Sequence, residues 1–138
     1  MSFDIYFYCF RAGSPANFSR QRFERIFAAH VIERDTSDSM ECLRLKYPDG
    51  GGGYVYIKSG EEVDGFSVNR PGGNALFEDL FLLMKEVGAC IFWPGFGSCL
   101  VVAELGVVAD LHPHVPAGAG PVTTVNSGAE ILGAISRS

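Results

Sequence analysis

The sequence predicts an α+β fold, with one mainly antiparallel, aromatic-rich sheet and about three helices packed on it. Three observations predict it. Strand-like runs at 3–10, 40–47, 54–57 and 63–69 come before the longest helical stretch, and runs at 90–93, 100–102 and 122–125 come after it. Helical periodicity recurs in three stretches only, roughly 18–31, 74–87 and 127–136. The order is strand, helix, three strands, helix, strands, helix. It lacks the regular alternation of a parallel α/β sheet and fits a sheet covered mostly on one face. At 138 residues, 47% of them hydrophobic, the chain predicts one domain spanning 1–138 with an ample core. No internal repeat and no dividing linker is evident.

Phe3–Phe10 is aromatic, short and free of breakers, which predicts a strand. Asp4 aside, it is apolar at both alternations, so a central position covered on both faces is expected. Gly13, Ser14 and Pro15 make a loop, and Asn17 or Ser19 can cap the next element. Phe23, Ile26, Phe27 and His30 or Val31 then recur at helical spacing. Arg20, Arg22 and Arg25 fall largely off that stripe and, with Glu24 among them, read as a solvated face.

Residues 33–39 are polar and read as a connection. Met40–Tyr47 alternates as a half-wet strand. Pro48-Asp-Gly-Gly-Gly-Gly53 reads as a turn into a returning arm at Tyr54–Ile57, which makes a hairpin. Four glycines can cradle phosphate, but no lysine and no helix come directly after them, so P-loop logic fails. Val63–Asn69 reads as a third strand with Gly65 as a bulge.

The helix at 74–87 carries the clearest signals. Asn74 is a suitable N-cap after Pro71-Gly-Gly, Lys85 suits the negative end of the macrodipole, and Gly88 suits a left-handed C-terminal position. Leu76, Leu80, Leu83, Met84 and Val87 form the apolar stripe, widened by Phe77 and Phe81. Glu78, Asp79, Lys85 and Glu86 share the opposite arc, with Leu82 in its middle. Beyond Gly88, Cys90–Trp93 and Leu100–Val102 are nearly continuous apolar runs, as in buried strands, joined by a turn at 94–98. A short helix is expected over Glu104–Leu111, then an irregular, exposed loop at 112–121. Val122–Val125 is β-branched, and Ser127-Gly-Ala-Glu130 is a capping-box signature for the last helix.

Composition narrows the function. The net charge is −5, and residues 71–138 hold only Lys85 and Arg137 against six acids. That balance disfavours nucleic acid as a partner and suits a basic protein. No run reaches the ~18–20 apolar residues of a membrane span, and no basic, apolar leader opens the chain. A cytoplasmic protein with reduced thiols at Cys9, Cys42, Cys90 and Cys99 is therefore expected, with no membrane partner.

No catalytic constellation is complete. His112-x-His114 is the one tight histidine pair, and Cys90 or Cys99 would have to join it in space to hold a metal; neither metal nor cofactor is expected. Cys99, or Ser98 in the preceding turn, would serve as a nucleophile only with His112 or His114 as base. The surroundings of Ser98 are not Gly-x-Ser-x-Gly, because position 100 is leucine. Gly95-x-Gly97 precedes a strand rather than a helix and is no dinucleotide fingerprint. Glu61–Glu62 and Glu78–Asp79 are adjacent pairs and read as solubilising charge. Tyr6, Phe7 and Tyr8 could line a ligand pocket, or a stacking sheet for RNA that would need basic company.

The opening Met1-Ser-Phe-Asp-Ile-Tyr-Phe7 and the close Val122-Thr-Thr-Val-Asn-Ser-Gly-Ala-Glu-Ile-Leu132 resemble small uncharacterised bacterial proteins with a Ser-aromatic-Asp-aliphatic-Tyr-Phe start. That resemblance implies a core strand and a capped helix and no activity. In size, acidity and α+β make-up the chain is also similar to bacterial toxin-immunity proteins, which implies a protein partner. The leading expectation is thus a non-enzymatic protein-binding domain of immunity type, using Leu82 with Glu78, Asp79 and Glu86, and open to self-association. The alternative is a small-ligand binding module on an aromatic sheet face, which a deep apolar pocket under the 112–121 loop would favour. A Cys/Ser-dependent hydrolase or transferase comes third.

Overall fold

Strand β1 (Asp4–Arg11) lies inside the main sheet of the computed structural model, which describes residues 3–95, 97–115 and 120–138. The other strands are β2 (Ser14–Pro15), β3 (Phe18–Ser19), β4 (Val31–Ser37), β5 (Met40–Lys46), β6 (Gly52–Lys58), β7 (Glu62–Val63), β8 (Gly65–Gly72), β9 (Ala89–Phe92), β10 (Leu100–Val102) and β11 (Val122–Thr124). The helices are α1 (Arg20–Phe27), α2 (Asn74–Val87) and α3 (Gly128–Arg137), with 3-10 turns at Ala28–His30 and Leu105–Asp110. Among the described residues the sheet runs β11-β10-β9-β1-β8-β6-β5-β4; β2 folds back on β1, and β3 pairs with β7 separately. All main-sheet pairings are antiparallel except β10 with β11. The long connection between those two strands permits the parallel return.

Alternation fixes two faces. Ile5, Phe7, Leu43, Val55, Ile57, Phe66, Val68 and Ile91 point to the helical side and are buried. Phe66 stacks on Phe7 at 4.6 Å between ring centroids and takes the edges of Phe23 and Phe27 from α1. Tyr6, Tyr8 and Phe10 occupy the other alternation and are half-buried. The expectation of a first strand covered on both faces is therefore corrected: its second face is only partly covered.

The expected helix at 18–31 is shorter. Phe18 and Ser19 pair with Val63 and Glu62, and Ser19 Oγ accepts from Gln21 N at 3.2 Å to start α1. The polar stretch read as a connection is strand β4, with a bulge between Val31 and Glu33. It is the sheet edge and exposed along nearly its whole length, so it carries no apolar alternation.

Helix α2 has the expected bounds, but its cap differs. Gly73, at φ +90°, is the N-cap, and Asn74 is already helical. Asp49 supplies the missing acceptor from the glycine turn: Oδ2 accepts from Ala75 N at 3.1 Å and Oδ1 from Gly51 N at 2.8 Å. Those bonds hold the Asp49 carboxyl below its usual range. Gly88 closes the helix in the left-handed conformation, as expected. The glycine run is partly strand: Gly52 pairs with Lys46 and Gly72, and a Cβ there would lie 2.0 Å from the Leu45 carbonyl oxygen. In α3, Ser127 Oγ accepts from Glu130 N and Glu130 Oε2 from Asn126 N, both at 3.2 Å. Among the described residues no helix is long and apolar enough to cross a membrane.

Candidate functional site

The partly covered sheet face is built from residues far apart in sequence. Register places Tyr6 opposite Phe92, and their rings stack at 5.3 Å; Tyr8 tilts against Phe92 at 6.2 Å. The segment after β10 lies over this face. Asp110 fastens it to the β1–β2 turn, its Oδ1 accepting from Ala12 N at 3.2 Å and its carbonyl from Gly13 N at 3.0 Å. Leu111 is buried beneath, and Phe10 meets His112 at 6.5 Å.

Beside this segment a groove of about 510 Å³ is lined by Tyr6, Phe92, Trp93, Pro94, Gly95, His114 and Val115. Trp93 is 4% exposed, and Nε1 donates to Ser138 Oγ at 2.9 Å, so the end of α3 fixes that wall. His112 Nδ1 accepts from His114 N at 3.1 Å, and the two imidazoles stack at 4.9 Å. The rim thus has a hydrogen-bonded turn that brings one imidazole, that of His114, into the same groove lining as Tyr6. Residues 116–119 of the expected loop, and Phe96 of the expected 94–98 turn, lie outside the described residues.

The other candidate residues divide clearly. Cys99 is 1% exposed, and its backbone carbonyl accepts from Trp93 N, so its thiol is not presented to solvent. Ser98 is half-buried beside it. His114 lines the groove, while neither Cys99 nor Ser98 does. Burial pushes the Cys90 thiol up to about 12 and the Cys9 thiol up to about 11, which keeps both protonated at neutral pH. Among the described residues no three or more His, Cys, Asp or Glu side chains are gathered as a metal site.

On the outer arc of α2, Leu82 is 54% exposed. Its acidic neighbours are engaged within the molecule. Glu86 binds Arg22 at 2.7 Å and Arg25 at 3.4 Å, and Glu78 Oε1 accepts from Ala129 N at 3.1 Å. Asp79 accepts from the Tyr47 hydroxyl at 2.7 Å, and His30 stacks on that ring at 4.0 Å. Burial, then the Asp79 bond, raises the Tyr47 phenol far above its ordinary range, so it acts as a fixed donor.

Sequence reasoning singles out Tyr6 and the histidine turn separately and passes over Phe92 and Trp93 as core. The joining signal is strand register, which a single sequence does not display. No protein-family model, no curated protein and no solved structure matches the chain.

Proposed function

We propose that the protein is a binding module for a small, largely apolar ligand with a planar portion, held on the aromatic-rich sheet face. One observation carries this: the groove between Tyr6, Phe92 and the His114–Val115 turn. Its volume, about 510 Å³, lies within the ~300–1,000 Å³ range of small-molecule sites. Its walls are mainly aromatic and apolar, and the Tyr6 hydroxyl and the His114 imidazole supply the few polar points that would orient a ligand.

A neutral planar fluorophore, N-phenyl-1-naphthylamine, tests the reading. The sole tryptophan of the chain, Trp93, lines the groove, so bound probe should report by energy transfer from it. Saturable binding that weakens about tenfold in Phe92→Ala is expected, the worth of one aromatic contact of about 1.4 kcal/mol. Absence of saturable binding, or equal binding by Phe92→Ala, would refute it.

A second reading is an immunity-type protein contact at Leu82, favoured by the exposure of that leucine on a polar helix face. It predicts that Leu82→Asp loses a specific protein captured from lysate by wild type, with circular dichroism unchanged. In the fluorophore titration Leu82→Asp should behave as wild type, which separates the two surfaces.

A further inference from the structure

The glycine turn leaves a second concavity, of about 280 Å³, lined by Arg44, Lys46, Gly50–Gly53, Tyr54, Arg70 and Gly72. Its floor is a sheet row almost without side chains: Gly52 of β6 is paired with Gly72 of β8 and with Lys46 of β5. Three cations border it. Arg44 is 3.4 Å from Glu33 and lies over the Tyr54 ring at 5.9 Å. Lys46 and Arg70, both exposed, make no ion pair among the described residues. We propose that this groove holds the phosphate group of a small phosphorylated metabolite.

Charge is the first argument. The chain carries 11 bases against 16 acids, yet three bases meet at one small groove. At physiological salt, potentials decay over about 8 Å, so a ligand in the groove responds mainly to the charges that border it. These are Lys46 and Arg70, with Arg44 shared with Glu33 and the Asp49 carboxylate engaged by Gly51 N. Lys46 and Arg70, without ion-pair partners among the described residues, repel across one concavity, and a dianionic phosphate would remove that repulsion while accepting hydrogen bonds from guanidinium and ammonium groups.

Shape is the second argument. Gly52 is required by packing, since a Cβ there would collide with Leu45. Gly72 is not: a Cβ would meet nothing within 4 Å, and its φ is not among the positive ones. A glycine that neither backbone nor packing demands leaves the floor open to an approaching group. The P-loop comparison fails here, because Gly52, Gly53 and Gly72 lie in paired strands and the start of α2 is capped by Asp49. Side-chain cations, not a helix terminus, would hold the anion.

The experiment is an amide NMR titration of the full chain with inorganic phosphate, adenosine monophosphate and adenosine, at constant ionic strength. Saturable shifts confined to residues 44–54 and 70–72 are expected with the first two and not with adenosine. Arg70→Gly should weaken phosphate binding at least fivefold. Arg70 sits at φ +53°, a conformation glycine adopts without strain, so this variant should fold as wild type does. Lys46→Gln should weaken binding similarly without touching the backbone. Linear, non-saturating shifts, equal binding by both variants, or adenosine shifts matching those of the monophosphate would each overturn the assignment.

Discussion

Asp49 shows how much one exposed side chain can organise. Its two oxygens tie the glycine turn, through Gly51 N, to the start of α2, through Ala75 N. Both bonds favour the charged form, so its folded-state acidity exceeds that of the unfolded chain. Below the unfolded carboxyl pKa, about 4, the unfolded state therefore binds more protons, and stability falls as pH falls through the folded value. Urea melts between about pH 5 and pH 3 should show wild type losing stability faster than Asp49→Asn. Equal slopes would mean that the carboxylate does not cap the helix. Glu24, held down chiefly by its hydrogen bonds from Arg34, contributes the same sign in both proteins and cancels in the comparison.

At the scale of elements, α2 and α3 approach most tightly at Gly128. A Cβ on Gly128 would lie 2.3 Å from Glu78 N and from the Phe77 carbonyl carbon. Gly128→Ala must push the helices apart and disturb the bond from Ala129 N to Glu78. A loss of about 1–3 kcal/mol in urea denaturation is expected, typical of overpacking a filled site. Gly133→Ala, whose nearest neighbour is only the flexible end of Arg137, should cost little. The contrast tests close approach rather than helix propensity, which favours alanine at both sites. Elements are legible in the sequence where burial imposes a period. Helix α2 is readable because Leu76, Phe77, Leu80, Leu83 and Met84 are all buried on one side. Strand β4 is not, because an edge strand bristling with Glu33, Arg34 and Asp35 buries too little to leave a pattern. The N-cap of α2 escapes sequence reading for a related reason: its acceptor, Asp49, lies 26 residues upstream, beyond any local signature. The aromatic groove is half-legible, since Tyr6 and the histidine turn each stand out while their meeting through Phe92 depends on register.

Across the whole molecule, β1 joins two parts of the chain. On one side it pairs with β8, more than fifty residues on, and on the other with β9, which comes after α2. Residues up to 72 supply β8, β6, β5 and β4, while those after 73 supply α2, α3 and the β9–β11 edge. Phe66 sits at this junction, stacked on Phe7 and gripped by α1. Removing its ring should cost about 3–5 kcal/mol, a large share of the roughly 5–15 kcal/mol that holds a domain folded. If the sheet is one cooperative unit, the loss must be felt everywhere. Trp93, in the second part and bonded to Ser138 at the chain end, offers a distant reporter by fluorescence. Far-ultraviolet circular dichroism reports the whole. Both signals should unfold at one urea midpoint in wild type, and both midpoints should fall together in Phe66→Ala. A Trp93 transition that stayed in place while circular dichroism shifted would show that the β9–α3 part holds itself together without the sheet around Phe66.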